Sequence, residues 1–235
     1  MKQIKIDATE STNDYLKQML RQVSLEDGTM VRTLNQTKGR GQRGANWFFE
    51  KDKSLAFSIL KKWLNDKPPN PFHLQWVVTN SIFEVLSDLG RCSWHIKWPN
   101  DIMADGKKIA GILIEHQYQN KLQSSVIGIG INVNNQRLPT LPQAASLSTI
   151  LGRKFDVDLL CDTLRQKLFL ACSDIKQDHY SRDLEQLNQR LYRKNIPTFF
   201  ETAQQGVFQG QINGVDRTKT KSRRVRVGGA KTRSF

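Results

Sequence analysis

Gln36-Thr37-Lys38-Gly39-Arg40-Gly41-Gln42-Arg43-Gly44-Ala45-Asn46-Trp47 is the stretch whose reading decides the fold. Gly39, Gly41 and Gly44 satisfy G-x-G-x-x-G, the spacing of a dinucleotide-binding turn. Such a turn needs a strand before the glycines and a helix opening on them. Residues 29–34 read as the strand. After the glycines come Trp47-Phe48-Phe49-Glu50-Lys51-Asp52-Lys53 and then alternating Leu55, Phe57 and Ile59, which read as a loop and another strand. Neither a helix nor the Gly-Lys-Ser/Thr ending of a phosphate loop is present there. The glycines sit between two strands, and the doubly wound reading falls. On this stretch alone a solvated basic turn stays open.

The residue types suggest more than a turn. Glycine lets a backbone approach a ligand without a Cβ in the way. Arginine and lysine among glycines suit an anionic guest, most often a phosphate or a carboxylate. Trp47 closes the stretch with a flat face on which a base could stack.

Outward from this loop the chain alternates strands and helices without a regular repeat. Residues 2–8 read as a first strand. Ser11 then caps a helix, with Asp14 at capping-box spacing and Tyr15, Leu16, Met19, Leu20 and Val23 as its apolar stripe. Residues 29–36 and 54–61 form the next strands. After Pro68-Pro69-Asn70-Pro71 a helix is expected over 72–89, apolar enough to lie across a sheet. Residues 93–98, 101–104, 108–118 and 122–132 are short strands joined by tight turns at Asp105-Gly106 and Gln119-Asn120, an antiparallel meander. Helices are expected next over 144–151, 157–175 and 179–192, and short strands within 195–212 suggest a small β appendage. The expected class is α+β, a mixed and largely antiparallel sheet flanked by helices, with one unit over 1–192 and a small β domain over 193–235.

Composition bounds the function. The 235 residues, 38% hydrophobic, suffice for a sizeable core. No apolar run approaches the roughly 18–20 residues of a membrane span, and Met1-Lys2-Gln3-Ile4-Lys5 lacks the apolar centre of a signal peptide. A cytoplasmic protein without membrane partners is expected. Cys92, Cys161 and Cys172 read as reduced thiols, and the four scattered histidines as structural. The net charge of +14 is uneven: residues 217–235 hold eight Lys/Arg and no acid, so subtracting them leaves +6 on the first 216. The basicity belongs to the tail.

Three further segments carry chemistry. Lys97-Trp98-Pro99-Asn100-Asp101 sets a cation, an amide and a carboxylate at a strand end, with Pro99 fixing the bend. Lys107-Lys108-Ile109-Ala110-Gly111-Ile112-Leu113-Ile114-Glu115 is a strand that opens on cations and is thinned by Gly111, where a ligand can come close. Gly128-Ile129-Gly130-Ile131-Asn132-Val133-Asn134 ends another strand with two glycines and two asparagines. Singly each has a packing explanation. Together they put cations, a carboxylate and small residues at the ends of neighbouring strands.

Ser11-Thr12-Asn13, Gln36-x-x-Gly39-Arg40-Gly41, Lys97-Trp98-Pro99-Asn100-Asp101, the strand from Lys108 to Glu115 and Gly128-Ile129-Gly130-Ile131-Asn132 resemble, in order and kind, the motif set of the biotin–protein ligases. The resemblance covers about residues 7–135 and weakens toward residue 212. It is to the short, monofunctional form, since no counterpart of the DNA-binding domain of repressor-type ligases is visible. It implies the fold shared by class II aminoacyl-tRNA synthetases and biotin ligases, with an SH3-like C-terminal appendage. It implies activation of biotin by MgATP to biotinyl-5′-AMP, then transfer to a lysine of a biotin carboxyl carrier domain, such as that of acetyl-CoA carboxylase. No specific DNA partner is implied by it, and a homodimer is compatible with it.

Residue by residue, the resemblance makes Arg40 and Lys108 the catalytic cations bridging carboxylate and phosphate. Ser11, Thr12, Asn13, Gln36, Gly39 and Gly111, with the same two cations, would hold biotin. Arg40, Arg43, Trp47, Lys97, Asn100 and Asn132 would hold ATP, and Asp101 would help place Mg²⁺.

Two departures stand out. Gln42 occupies a position where many family members carry arginine, which bears on retention of the adenylate. After Gly214-Val215-Asp216 the expected alternation gives way to the basic run from Arg217, so an incomplete appendage and a loosely ordered tail are expected. Two other functions compete. A lipoate–protein ligase shares the fold and the two-step logic. A nucleic-acid-binding module would use the basic tail and bind with steep salt dependence.

Overall fold

Ser11 ends the first strand connection and starts the first helix: its Oγ accepts from the Asp14 N–H at 3.4 Å, satisfying a free donor of the first turn. The computed structural model describes residues 2–63, 68–136, 138, 141–202 and 206–216. The helix is α1 (Thr12–Gln22), and it joins β1 (Gln3–Ile6) to β2 (Met30–Thr33). These two strands pair in parallel, which a helical crossover permits and a tight turn does not.

The glycine stretch then forms a two-stranded flap, β3 (Gly39–Arg40) and β4 (Asn46–Trp47), around a single 3-10 turn over Gln42–Gly44. No α-helix opens on the glycines, as the sequence requires. Next in the chain are β5 (Ser54–Lys62), α2 (Pro71–Ser87), β6 (Trp94–Lys97), β7 (Asp101–Ala104), β8 (Lys107–Gln119) and β9 (Lys121–Asn132). The helices α3 (Leu147–Leu151), α4 (Val157–Ser173) and α5 (Tyr180–Gln189) and the strands β10 (Thr198–Thr202) and β11 (Gly206–Gly210) complete the described chain.

Seven strands make one sheet in the order β1-β2-β5-β9-β8-β7-β6. Beyond the β1–β2 pair its pairings are antiparallel, and β6 to β9 form the expected meander. The mixed, largely antiparallel class therefore stands.

Alternation along the strands splits the core in two. Leu55, Phe57 and Ile59 of β5 and Ile127, Ile129 and Ile131 of β9 join Leu74, Ile82 and Leu86 of α2 and Leu164 and Leu168 of α4 in the main cluster. Leu60 and Val126, on the other face, join Leu16 of α1 and Val31 in a smaller one. β5 is consequently buried on both faces over its first seven residues, where the alternation alone suggests one. His73 Nε2 lies 2.8 Å from Asp183 Oδ2 in the buried contact of α2 with α5, in keeping with a structural histidine. Trp76 is buried in the main cluster, and Trp94 and Trp98 pack against it.

Cys92, Cys161 and Cys172 are free thiols, and burial pushes the last two up to about 11 and about 12. No helix among the described residues is long and apolar enough to cross a membrane. The C-terminal appendage is, among the described residues, an open antiparallel pair, β10 with β11, whose Phe200 and Phe208 rings stack 5.6 Å apart. The SH3-like barrel that the resemblance implies is thus not formed by the described residues. The basic run over 217–235, including its expected loose order, lies outside them.

Phe57 is fully buried between β2, β9 and the α2–α4 layer. Phe57→Ala should cost about 3–5 kcal/mol, as deletion of a core aromatic usually does. Urea unfolding followed by circular dichroism measures it, and a loss under about 1 kcal/mol would contradict this packing.

Candidate active site

On the α1 face of the sheet, beside the helix, the strands present almost no side chains. Register places Ala56 of β5 opposite Gly130 of β9, Gly130 opposite Gly111 of β8, Gly111 opposite Asp101 of β7, and Asp101 opposite Lys97 of β6. One rank across five strands thus runs from a small floor to a carboxylate and a cation. The next rank pairs Ser58 with Gly128 and Gly128 with Leu113.

The Trp47 indole lies on that floor. A Cβ on Gly130 would come within 2.4 Å of Trp47 Cε2, and one on Gly111 within 2.9 Å of Trp47 Cζ3. Lys108 Nζ stands 5.5 Å from the centre of the Trp47 ring, a cation–π distance. It also lies 2.7 Å from Asp101 Oδ1, an ion pair by distance though not aligned as a hydrogen bond. The indole N–H of Trp47 is buried without a partner.

The first turn of α1 makes a polar wall beside the floor. Gln36 Oε1 accepts from the Thr12 N–H at 3.0 Å and from the Thr12 hydroxyl at 3.4 Å. Ser58 Oγ lies 2.8 Å from Thr12 Oγ1 and 2.6 Å from Asn13 Oδ1. With one proton it donates to one of them at a time, and Asn13 Oδ1 can only accept. Asn13 Nδ2 in turn donates to Glu115 Oε2 at 2.7 Å and to the Leu113 carbonyl at 3.3 Å. Ser11, Thr12, Asn13, Gln36 and Ser58 are all buried, so their partners fix their orientations.

The flap is shaped by its backbone. The Gly41 N–H donates to the Ala45 carbonyl at 2.6 Å, and Arg43 and Gly44 take left-handed φ values of 56° and 78°. A Cβ on Gly39 would meet Gln36 Nε2 and the Trp47 carbonyl, both at 2.6 Å. From this flap Arg40 Nη2 donates to Asp14 Oδ1 at 2.5 Å and reaches Glu115 at 3.2 and 3.3 Å. Lys17 Nζ lies 2.7 Å from Glu115 and 2.9 Å from Asp14. Burial works against the Glu115 charge. Its hydrogen bonds from Lys17 and Asn13 and the nearby cations outweigh that, and hold it below its ordinary value.

The residues singled out in the sequence fall into three groups. Gly111, Trp47, Lys108 and Asp101 meet at the floor, Ser11, Thr12, Asn13 and Gln36 at the wall, and Gly39 lies on the flap between Gln36 and Trp47. Arg40 and Lys108, paired by the resemblance, are held by different carboxylates. Lys97 is exposed at the end of the rank, Arg43 is exposed on the flap, and the Asn100 carbonyl accepts from the Ile112 N–H at 2.9 Å. Asn132 is buried and its Nδ2 donates to the Ala145 carbonyl at 3.2 Å.

No group of three or more His, Cys, Asp or Glu among the described residues could hold a metal ion. Ser58, Asp14, Lys17 and the role of Glu115 escape a reading of the sequence. Ser58 has a signal there, a hydroxyl between apolar Phe57 and Ile59; Asp14 reads as a capping-box acid and Glu115 as the end of a motif strand, and neither reading shows their shared network.

The description "Biotin/lipoate A/B protein ligase family" fits residues 6–132 of this chain. The Bifunctional ligase/repressor BirA of Bacillus subtilis is 32% identical over 139 residues, covering 55% of this chain and 41% of that protein. The Biotin--[acetyl-CoA-carboxylase] ligase of Mycobacterium tuberculosis is 29% identical over 145 residues, 59% of this chain and 52% of that one. The chain thus spans about two fifths of the first relative's length and about half of the second's. The solved biotin protein ligase from Aquifex aeolicus, in complex with biotin and ATP, superposes with a TM-score of 0.76 at 25% identity, covering 92% of this chain and 88% of that one.

The geometry gives two expected outcomes. Gly130→Ala should lift Trp47 off the floor, so the part of tryptophan emission lost in Trp47→Phe should become more accessible to iodide. Unchanged quenching would place the ring elsewhere. For Glu115, a depressed pKa contributes stability that is present above the ordinary value of 4.5 and lost as pH falls through the depressed one. Wild type should therefore exceed Glu115→Gln in thermal stability at pH 7, with the gap closing as the pH falls below 4.5 and through the depressed value.

Proposed function

This chain belongs to the biotin/lipoate A/B protein ligase family, and from that premise we propose that it activates biotin with MgATP and passes it to a lysine of a biotin carboxyl carrier domain. The observation that carries the reading is the glycine floor under Trp47, with Lys108 at its edge and Arg40 on the flap above. A thin ring fits on such a floor, and two cations beside it suit a reaction that joins two anions.

In the first step the biotin carboxylate attacks the α-phosphorus of ATP, forming a carboxyl–phosphate bond and releasing pyrophosphate. Arg40 and Lys108 would turn from their own carboxylates to the substrate oxygens, offsetting the repulsion and the charge that grows at phosphorus. In the second step the carrier's lysine amine attacks the acyl carbon, and AMP leaves with the bonding electrons of the anhydride. Catalysis is then positioning and electrostatics, without a covalent enzyme intermediate.

Ser11, Thr12, Asn13 and Gln36 would hydrogen-bond the head group of biotin, a role that suits buried polar groups held in place by neighbours. Trp47, which itself lies on the floor, would lift to admit the substrate and then cover the bound intermediate and keep water from it. Arg43, Lys97, Asn100 and Asn132 would serve the nucleotide. Mg²⁺ would arrive with ATP: that ion takes one or two carboxylates and otherwise phosphates and water, and Asp101 offers one carboxylate. Residues 1–192 would be the catalytic unit and 193–235 a small β domain. ATP and carrier as substrates imply a cytoplasmic setting. Relatives and solved structures named for biotin disfavour lipoate as the acid.

Pyrophosphate release with MgATP should occur with biotin and not with lipoate or without an acid. Lys108→Ala should lower that release on the order of 10²–10³-fold, as loss of one preorganised donor does. Equal rates in wild type and Lys108→Ala, or release with lipoate alone, would refute the reading.

A further inference from the structure

We propose that Asp14 is a positioning residue for Arg40: with Glu115 it holds the guanidinium as a stand-in for the substrate's anions, and substrate binding exchanges one set of oxygens for the other. The inference rests on the biotin-activation reading and assigns a residue outside its motifs.

The cluster holds two cations and two anions. Lys17 and Asn13 take the short contacts to Glu115, both 2.7 Å, and their side chains lie largely inside the protein. Arg40 takes the long ones, 3.2 and 3.3 Å, and keeps one short bond, 2.5 Å, to Asp14. Arg40 and Asp14 are 43% and 47% exposed, against 21% and 25% for Lys17 and Glu115. The Arg40 pair is therefore the screened, releasable member of the cluster. When it leaves, Lys17 stays with Glu115, and water takes its place at Asp14.

Two effects of losing Asp14 oppose each other. Freeing Arg40 removes a competitor of the substrate, whereas loosening the flap would add an ordering cost on binding. The flap does not depend on the Arg40 side chain for its order. Its two strands pair Gly39 with Trp47 and Arg40 with Asn46, the Thr37 and Lys38 N–H groups donate to the Thr9 and Glu10 carbonyls at 2.9 Å, and Trp47 rests on the floor. The loss of competition decides the sign.

Asp14→Asn is the clean variant, because Glu115 also holds Asn13 and Lys17. Its shape and its backbone N–H to Ser11 are kept. Calorimetric titration with MgATP should show the Kd falling about two- to five-fold, the range expected for one exposed ion pair. The KM in pyrophosphate release should fall likewise, with kcat within about two-fold. In an Arg40→Ala background, Asp14→Asn should leave the calorimetric Kd unchanged, which separates the effect from the Asp14–Lys17 contact. Unchanged or weaker MgATP binding by Asp14→Asn overturns the proposal, as does an equal effect without Arg40. Wild-type protein that releases no pyrophosphate with biotin would instead overturn the underlying reading, and the proposal with it.

Discussion

A flat ring can lie on a β-sheet only where the sheet has no side chains, and this constraint organises the rest of the structure. Gly111 and Gly130 stand opposite each other on β8 and β9, and the Trp47 indole fills the space their missing Cβ atoms would take. The opposite face of the same strands is dense with Ile112, Ile129 and Ile131. Strand alternation therefore does two jobs with one stretch of backbone. One face anchors the sheet to α2 and α4, while the other is bare enough to be a binding surface. Glycine weakens strands, and the antiparallel ladder and the buried isoleucines offset that weakness here.

Around this floor the cations Lys108, Arg40 and Lys17 each face a carboxylate. Lys108 is paired with Asp101, and Arg40 and Lys17 are shared between Asp14 and Glu115. Isolated cations in a half-buried cleft would lose hydration without recompense, and these carboxylates supply it. The depressed pKa of Glu115 expresses the same balance from the acid's side. An anion approaching Arg40 or Lys108 therefore meets a carboxylate already in place.

Most of the architecture is legible in the sequence because it rests on local signals. Ser11 announces α1, Pro71 stands at the start of α2, and Asp105-Gly106 and Gln119-Asn120 mark the turns of the meander. The β1–β2 parallel pair is not legible, since alternation says nothing about strand direction. Within the site, the glycines and the conspicuous cations are readable by type. Asp14 and Glu115 are not, for a physical reason: Arg40 lies 26 residues from Asp14 and 75 from Glu115 along the chain, and only the folded sheet brings them together. A surface carboxylate and a network carboxylate look alike until the chain closes. Ser58 is intermediate. Its hydroxyl interrupts an apolar strand, a visible anomaly, but its partners Thr12 and Asn13 appear only when α1 packs over β5.

Rigid and movable parts are separated in a way that suits a reactive intermediate. Floor and wall are built on β5, β8, β9 and the first turn of α1, and their polar groups are locked by buried partners. Trp47 and Arg40 belong instead to a flap of two-residue strands, held by a few backbone bonds and by Trp47 resting on the floor. Elements with few buried contacts open at low free energy. The mixed anhydride of the proposed reaction would need shielding from water and then exposure to an amine, so its cover would have to open without disturbing the surface beneath. Had Trp47 and Arg40 been carried on β8 or β9, every opening would have broken the main core. Placing them on the flap confines the motion to contacts that cost little to break, and leaves the glycine floor in register throughout.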